Sequence, residues 1–291
     1  RKRNSDSRTK QLPIPLNPKL SWETGMNSGM VCSRVRGEAG LMVFRKHVGF
    51  FGLVICALAI GMPKPAYSGE SEAVWDIPEP ASVLFIGNSL TYYNNSLHNH
   101  LRKMVVWNRR VDTSRVFFRS MTISGGKLSD HLSAAKPMIS DYRHKRKSGP
   151  WDLVVLQGYS NEAIDPRGVE NFQKSAQGLS ALIRQSGSKP AFFMTWAYRD
   201  SPDMAKPLVD AYTKLGKQLD ALVIPVGLAF EYARRTNPDM SLYQDNKHPS
   251  LLGTYLAACV FYTTLYGEAP FGSVYAAGLT NEEAAFAQVT A

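Results

Sequence analysis

Four short segments of this 291-residue chain carry groups that could do chemistry together. Gly87-Asn88-Ser89-Leu90 sets a hydroxyl two residues after a glycine. The glycine permits a tight turn, and backbone N–H groups beside the serine can face the atom it would attack. Asp245-Asn246-Lys247-His248-Pro249-Ser250 holds a carboxylate and an imidazole three residues apart. On one short loop the carboxylate can accept from the imidazole Nδ1–H, leaving Nε2 to take a proton from a hydroxyl. Gly125-Gly126 offers backbone that can approach a ligand and lend an N–H to a developing oxyanion. Gln157-Gly158-Tyr159-Ser160-Asn161 supplies two side-chain amides. Each segment alone also reads as an ordinary polar turn, so the chemistry depends on whether the fold makes them meet.

The surrounding pattern predicts such a fold. Five near-continuous apolar runs read as strands buried on both faces: Ser82–Ile86, Val116–Ile123, Leu153–Leu156, Ala191–Thr195 and Leu222–Val226. Amphipathic stretches lie between and after them. Leu97, Leu101, Met104 and Val105 share one helix face; Val169, Phe172, Ala176, Leu179 and Ile183 share another. Met204, Leu208, Tyr212, Leu215 and Leu219 make a third. Leu252, Tyr255, Leu256, Cys259 and Val260 make a fourth, opened by Ser250 as N-cap. Strands alternating with helices predict a parallel sheet covered on both faces. In such folds functional groups gather beyond the carboxyl ends of the strands. Each of the four segments follows a strand or precedes the last predicted helix.

Ser, Gly, an amide and Asp-x-x-His in that order resemble the SGNH hydrolases, also called GDSL-type esterases. Their blocks are Gly-Asp-Ser-Leu, a glycine, Gly-x-Asn-Asp and Asp-x-x-His, and the resemblance runs over residues 82–270. It implies an α/β fold: a three-layer α/β/α sandwich with a flavodoxin-like, five-stranded parallel sheet. It also implies Ser89 as nucleophile, His248 as general base and Asp245 as the carboxylate that orients it. The oxyanion hole would use the N–H of Ser89, that of Gly126 (or Gly125), and a side-chain amide from Asn161 (or Gln157). Two departures stand out. Asn88 replaces the Asp of the first block. The third block has an extra residue between Gly158 and Asn161 and carries Glu162 where the block has Asp.

Composition narrows the function further. With 44% apolar and 20% charged residues, the chain can bury a sizeable core. The net charge of +10 suggests nucleic acid, but it is concentrated at the front. Of the 34 Lys/Arg and 24 Asp/Glu, residues 1–68 hold 11 and 3, leaving 23 against 21 from Gly69 onward. No basic footprint for phosphates remains there, so no nucleic-acid partner is expected. Residues 48–62, VGFFGLVICALAIGM, carry no charge, follow Arg45 and Lys46, and precede Pro63, Pro65 and the triplet Ala66-Tyr67-Ser68. That is the pattern of a secretory signal peptide. The expected organisation is a disordered or mis-assigned extension over 1–41, a leader over 42–68 opening at Met42, and one hydrolase domain over 69–291. An uncleaved leader would instead anchor the chain through 48–62, although 15 residues fall short of the ~20 a bilayer span needs. After cleavage Cys259 is the only thiol left, and its apolar surroundings mark it as a core residue.

Other signals carry less. His98 and His100 lie two apart on a helix, so their rings diverge and cannot share one ion; a solvated helix face is expected. The basic cluster at 143–147 reads as a solvated loop. Asn94-Asn95-Ser96 fits a glycosylation acceptor. Tyr92, Tyr93, Tyr159, Trp196, Tyr198 and Tyr243 read either as walls of a sugar-stacking cleft or as core filling. No metal and no organic cofactor is expected. The expectation is therefore an exported serine esterase acting on a small-molecule or carbohydrate ester, a short-chain or O-acetyl one, in a periplasmic or secreted setting. The alternative is a non-catalytic module on the same fold that binds envelope polysaccharide.

Overall fold

Residues 83–86 and 153–156 are apolar and buried at every position, so these strands must be covered on both sides, and the chain arranges its elements accordingly; the edge run expected over Val116–Ile123 instead carries Arg119 and Ser120 and is only partly buried. The computed structural model describes residues 79–140 and 149–291. The expected extension over 1–41, the leader over 42–68 and the basic cluster at 143–147 lie outside the described residues. In chain order the elements are β1 (Ser82–Gly87), α1 (Ser89–Tyr92), α2 (Leu97–Asn108), β2 (Phe117–Thr122) and α3 (Leu128–Ser140). Then come β3 (Leu153–Leu156), α4 (Val169–Gln185), β4 (Lys189–Phe193), α5 (Ala205–Gln218) and β5 (Leu222–Ile224), followed by α6 (Val226–Thr236), α7 (Leu251–Tyr266) and α8 (Asn281–Thr290).

The five strands form one sheet in the order β2-β1-β3-β4-β5, with every pairing parallel. Successive side chains of a strand point to opposite faces. Val83 and Phe85 therefore enter one core with side chains of α2, α6, α7 and α8. Leu84 and Ile86 enter the other with side chains of α3, α4 and α5. The result is the expected three-layer sandwich. Each fully buried Leu, Ile or Phe contributes about 1.5–3 kcal/mol, so the two cores fix the register of β1 from both sides. Asp152 adds a polar lock at the other end of the sheet, where one carboxylate oxygen accepts the N–H groups of Ala81 and Ser82, each at 2.8 Å.

Some expectations change. β4 begins at Lys189 and ends at Phe193, two residues earlier than expected at each end. Its paired neighbour β5 stops at Ile224, and the Met194 carbonyl turns to accept the Gly227 N–H at 3.2 Å. α7 is not amphipathic: Leu252 through Tyr262 are all buried, because the helix is covered by α2, α6 and α8 besides the sheet. Ser250 does cap it, accepting from the Gly253 N–H at 3.1 Å. α3, α6 and α8 add to the four helices expected from the sequence. Pro137 interrupts the helical pattern of α3, and α8 is held at its start by the reciprocal pair Thr280 and Glu283. The pair His98 and His100 is not a solvated face either. His100 is 2% exposed and sits between the Tyr275 hydroxyl and the Asn94 carbonyl.

Candidate active site

Strand order reverses at β1, which has β2 on one side and β3 on the other. A crevice opens beyond the carboxyl ends at such a point, and three of the four segments lie on its rim. β1 ends at Gly87. A Cβ there would lie 2.5 Å from Gln157 Oε1 and 2.8 Å from Thr91 Oγ1, so only glycine lets the strand pass that amide. Asn88 follows as the N-cap of α1, and Ser89 is the first residue of that helix. Its N–H therefore has no carbonyl one turn earlier to bond.

Asn88 ties the rim together. Its amide Nδ2 donates to the Gly126 carbonyl at 2.9 Å and the Gly158 carbonyl at 3.2 Å. Its Oδ1 accepts from the Leu90 N–H at 3.2 Å and from Gln157 Nε2 at 2.9 Å. Gln157 Oε1 in turn accepts from the Asn88 N–H and from Thr91 Oγ1, both at 2.9 Å. The loops after β1, β2 and β3 are thus joined through one buried side chain that needs both a donor and an acceptor. The carboxylate of the commonest first block could not make the two donations.

The fourth segment arrives from the loop before α7. His248 Nε2 lies 3.0 Å from Ser89 Oγ, and Nδ1 lies 2.6 Å from Asp245 Oδ2. The carboxylate on Nδ1 fixes the tautomer, so Nε2 is the acceptor facing the serine hydroxyl. Asp245 Oδ1 accepts the N–H groups of Lys247 at 2.8 Å and His248 at 2.7 Å. Burial alone would raise the Asp245 carboxyl, but the bonds from the His248 ring and from these two N–H groups outweigh it. They hold the carboxyl well below the usual carboxylate range. The loop is anchored from the β4 side: Trp196 Nε1 donates to the Lys247 carbonyl at 3.0 Å, and the Arg199 N–H to the Asn246 carbonyl at 2.8 Å. Tyr93 stacks flat on the imidazole, with centroids 4.3 Å apart and planes 2° from parallel.

The two expected amides and the second glycine fall elsewhere. Gln157 spends its Nε2 on Asn88 Oδ1 and the Gly158 carbonyl. Asn161 sits on the next turn, where its carbonyl accepts the N–H groups of Ile164 and Asp165, and it does not line the cavity beside Ser89. Gly126 gives its N–H to the Ile123 carbonyl at 3.0 Å, closing a turn. Its neighbour Gly125, in the left-handed region at φ 65°, lines that cavity instead. Glu162, in place of the block's Asp, is buried and accepts the Tyr159 N–H at 3.1 Å. Burial raises its carboxyl, against the bonds it accepts.

The cavity beside Ser89 holds about 190 Å³. Tyr92, Tyr93 and Tyr159 line it, Trp196 and Tyr243 are buried in the core, and the half-buried Tyr198 bonds Ser160 Oγ at 2.8 Å beside the cavity, which divides the six flanking aromatics. Three further functional residues emerge only in the structure: Tyr93 as the stacking partner, Asn88 as the tie and Lys247 as a lining residue. All three lie inside or beside the motifs, but nothing in residue spacing says which way a loop side chain points. Among the described residues no group of His, Cys, Asp and Glu could hold a metal ion.

No protein-family model matches the chain, and no curated protein is significantly similar to it. Solved structures are similar. A candidate SGNH hydrolase from Slackia heliotrinireducens is 24% identical, with 63% of this chain and 97% of that one covered at a TM-score of 0.52. A DUF4886 family protein from Bacteroides uniformis is 20% identical, covering 72% of this chain and 92% of its own, at 0.57. An acetylxylan esterase from Geobacillus stearothermophilus is 14% identical, covering 66% and 98%, at 0.51. These likenesses establish the fold: the chain has the five-stranded α/β architecture of the SGNH hydrolases.

Proposed function

We propose that the chain is an exported serine esterase that hydrolyses a short-chain or carbohydrate O-acetyl ester. The observation that carries this reading is the continuous relay from Ser89 Oγ through the His248 ring to the Asp245 carboxylate, at 3.0 and 2.6 Å. In the reaction Ser89 Oγ adds to the ester carbonyl carbon while Nε2 takes its proton. The alcohol leaves with that proton, an acyl-serine remains, and water, deprotonated by the same imidazole, releases the acid and restores the hydroxyl. Asp245 stabilises the imidazolium that forms in each half. The Ser89 and Gly125 N–H groups are the oxyanion donors in this proposal, each worth about 10²–10³ in rate.

A cavity of about 190 Å³ walled by tyrosines supports a small acyl group rather than a long chain. The acetylxylan esterase among the structural neighbours supports a carbohydrate alcohol. The full-length chain should release acetate from an acetylated sugar, and Ser89→Ala should retain less than a hundredth of that rate. Retention of a tenth would reject Ser89 as nucleophile. Export rests on the leader pattern over 42–68, and N-terminal sequencing of material recovered outside the cytoplasm tests it. The position of Asn161 and Gln157 away from the cavity favours a second reading, a polysaccharide-binding module without catalysis. A serine-directed phosphonate separates the two readings, since only the esterase is labelled at Ser89.

A further inference from the structure

The cavity beside Ser89 has one cationic side chain in its lining, Lys247, the residue before the imidazole. Its ammonium donates to the Tyr159 hydroxyl at 3.0 Å and lies 5.3 Å from the centroid of that ring. No carboxylate forms an ion pair with it among the described residues. An ammonium has three donors, so the bond to Tyr159 leaves two for a ligand. Ser124, bonded to Tyr92 at 3.0 Å, and Ser160, bonded to Tyr198 at 2.8 Å, also line the cavity. A lining with one held cation and several hydroxyls matches an alcohol that is itself hydroxylated and anionic.

We propose that Lys247 determines specificity for the alcohol half of the substrate, and that this half is a sugar bearing a carboxylate, an O-acetylated hexuronic acid residue. The proposal rests on the esterase reading of the same site. Tyr159 fixes the ammonium over the cavity, and the sugar carboxylate replaces water on its free donors. The interaction is present before and during acyl transfer alike, so it acts on KM more than on kcat.

The test compares acetate release by the full-length protein from a mono-O-acetylated methyl hexuronoside and from the corresponding uronamide, which is neutral and nearly isosteric. A charge-assisted bond at a half-exposed group is worth about tenfold, so kcat/KM should favour the acid about tenfold at low ionic strength. The preference should shrink as salt is raised to about 0.5 M, where charges are screened within a few Å. K247M removes the ammonium but keeps a long unbranched side chain, and should bring the ratio near one, mainly through the KM for the acid. Tyr159→Phe, which removes the hydroxyl that holds the ammonium, should lower the ratio in the same direction. Equal kcat/KM for acid and amide in the wild-type protein overturns the proposal while leaving the esterase reading intact. An unchanged ratio in K247M overturns it as well. Failure to hydrolyse either compound or any simple acetyl ester ends the esterase reading and this proposal with it.

Discussion

Replacing Asn88 by aspartate changes one atom of a buried side chain and reverses its hydrogen-bonding character. In the native protein Nδ2 donates to two carbonyls, Gly126 at 2.9 Å and Gly158 at 3.2 Å. A carboxylate can make neither donation, and each bond contributes about 1 kcal/mol. The new charge would sit at a position 2% exposed, facing two carbonyl oxygens, which adds about 1–2 kcal/mol even after local relaxation. The expected cost at neutral pH is therefore about 3–4 kcal/mol, a fall in Tm of about 10 °C for a domain of this size. Protonation restores one donor and removes the charge, so the folded-state pKa of the introduced carboxyl must lie above its unfolded value of about 3.9. A raised folded pKa gives stability that is fully present below the unfolded pKa and is lost as pH rises through the folded one. The deficit of Asn88→Asp should thus be widest near pH 7 and narrow to about half below pH 4. Urea denaturation of wild type and variant at both pH values measures it. A deficit under about 1 kcal/mol at pH 7, or one that does not change with pH, would refute the role given to the amide.

Further expectations come from the same rim. Asp245→Asn should lower kcat by about 10³–10⁴ with little change in KM, because the ring loses the acceptor that fixes its tautomer. Since the Asp245 carboxyl is held below its ordinary range, its contribution to stability is present above about pH 4 and disappears as the pH falls further. The stability difference between wild type and Asp245→Asn should close in the same direction, and a difference that widened on acidification would contradict the assignment. Tyr93→Leu, which removes the ring stacked 4.3 Å from the imidazole, should lower kcat/KM about tenfold, whereas Tyr93→Phe should keep most of it; steady-state kinetics of the pair decides. Gly87→Ala would push a Cβ to 2.5 Å from Gln157 Oε1 and should cost about 1–3 kcal/mol, read as a lowered urea midpoint.

Strain in the backbone shows how firmly the rim is built. Asn94, Asn95 and Ser96 all have positive φ, at 50°, 67° and 66°, a conformation that costs side-chain-bearing residues roughly 1–3 kcal/mol each and persists only where contacts over-determine it. The contacts are present: Asn94 Nδ2 donates to the Pro249 carbonyl at 2.9 Å and to Thr254 Oγ1 at 2.8 Å. This strap joins the residue after Tyr93 to the residue after His248. It holds the stacked pair from both backbones, and it occupies the asparagine amide of the sequence motif that would accept a glycan.

What the residues alone determined was the period of the pattern and the chemistry of the motifs. Short, mostly apolar runs of four to eight residues separated by amphipathic stretches specify a parallel sheet covered on both faces, because that arrangement buries both faces of its central strands. A parallel sheet then sends every strand end to one rim, so Ser89 and the Asp245–His248 pair could be nominated together from their order in the chain. Side-chain direction in the loops was decided only in three dimensions. Whether Gly125 or Gly126 lines the cavity depends on which N–H closes the turn at Ile123. Gln157 turns away from the cavity because Asn88 and Thr91 claim its amide. Tyr93 reaches the imidazole, and Lys247 the cavity wall, through loops with no periodicity to read. Local sequence specifies which groups are available, whereas a loop side chain takes its direction from partners tens of residues away, and those partners meet only when the sheet is assembled.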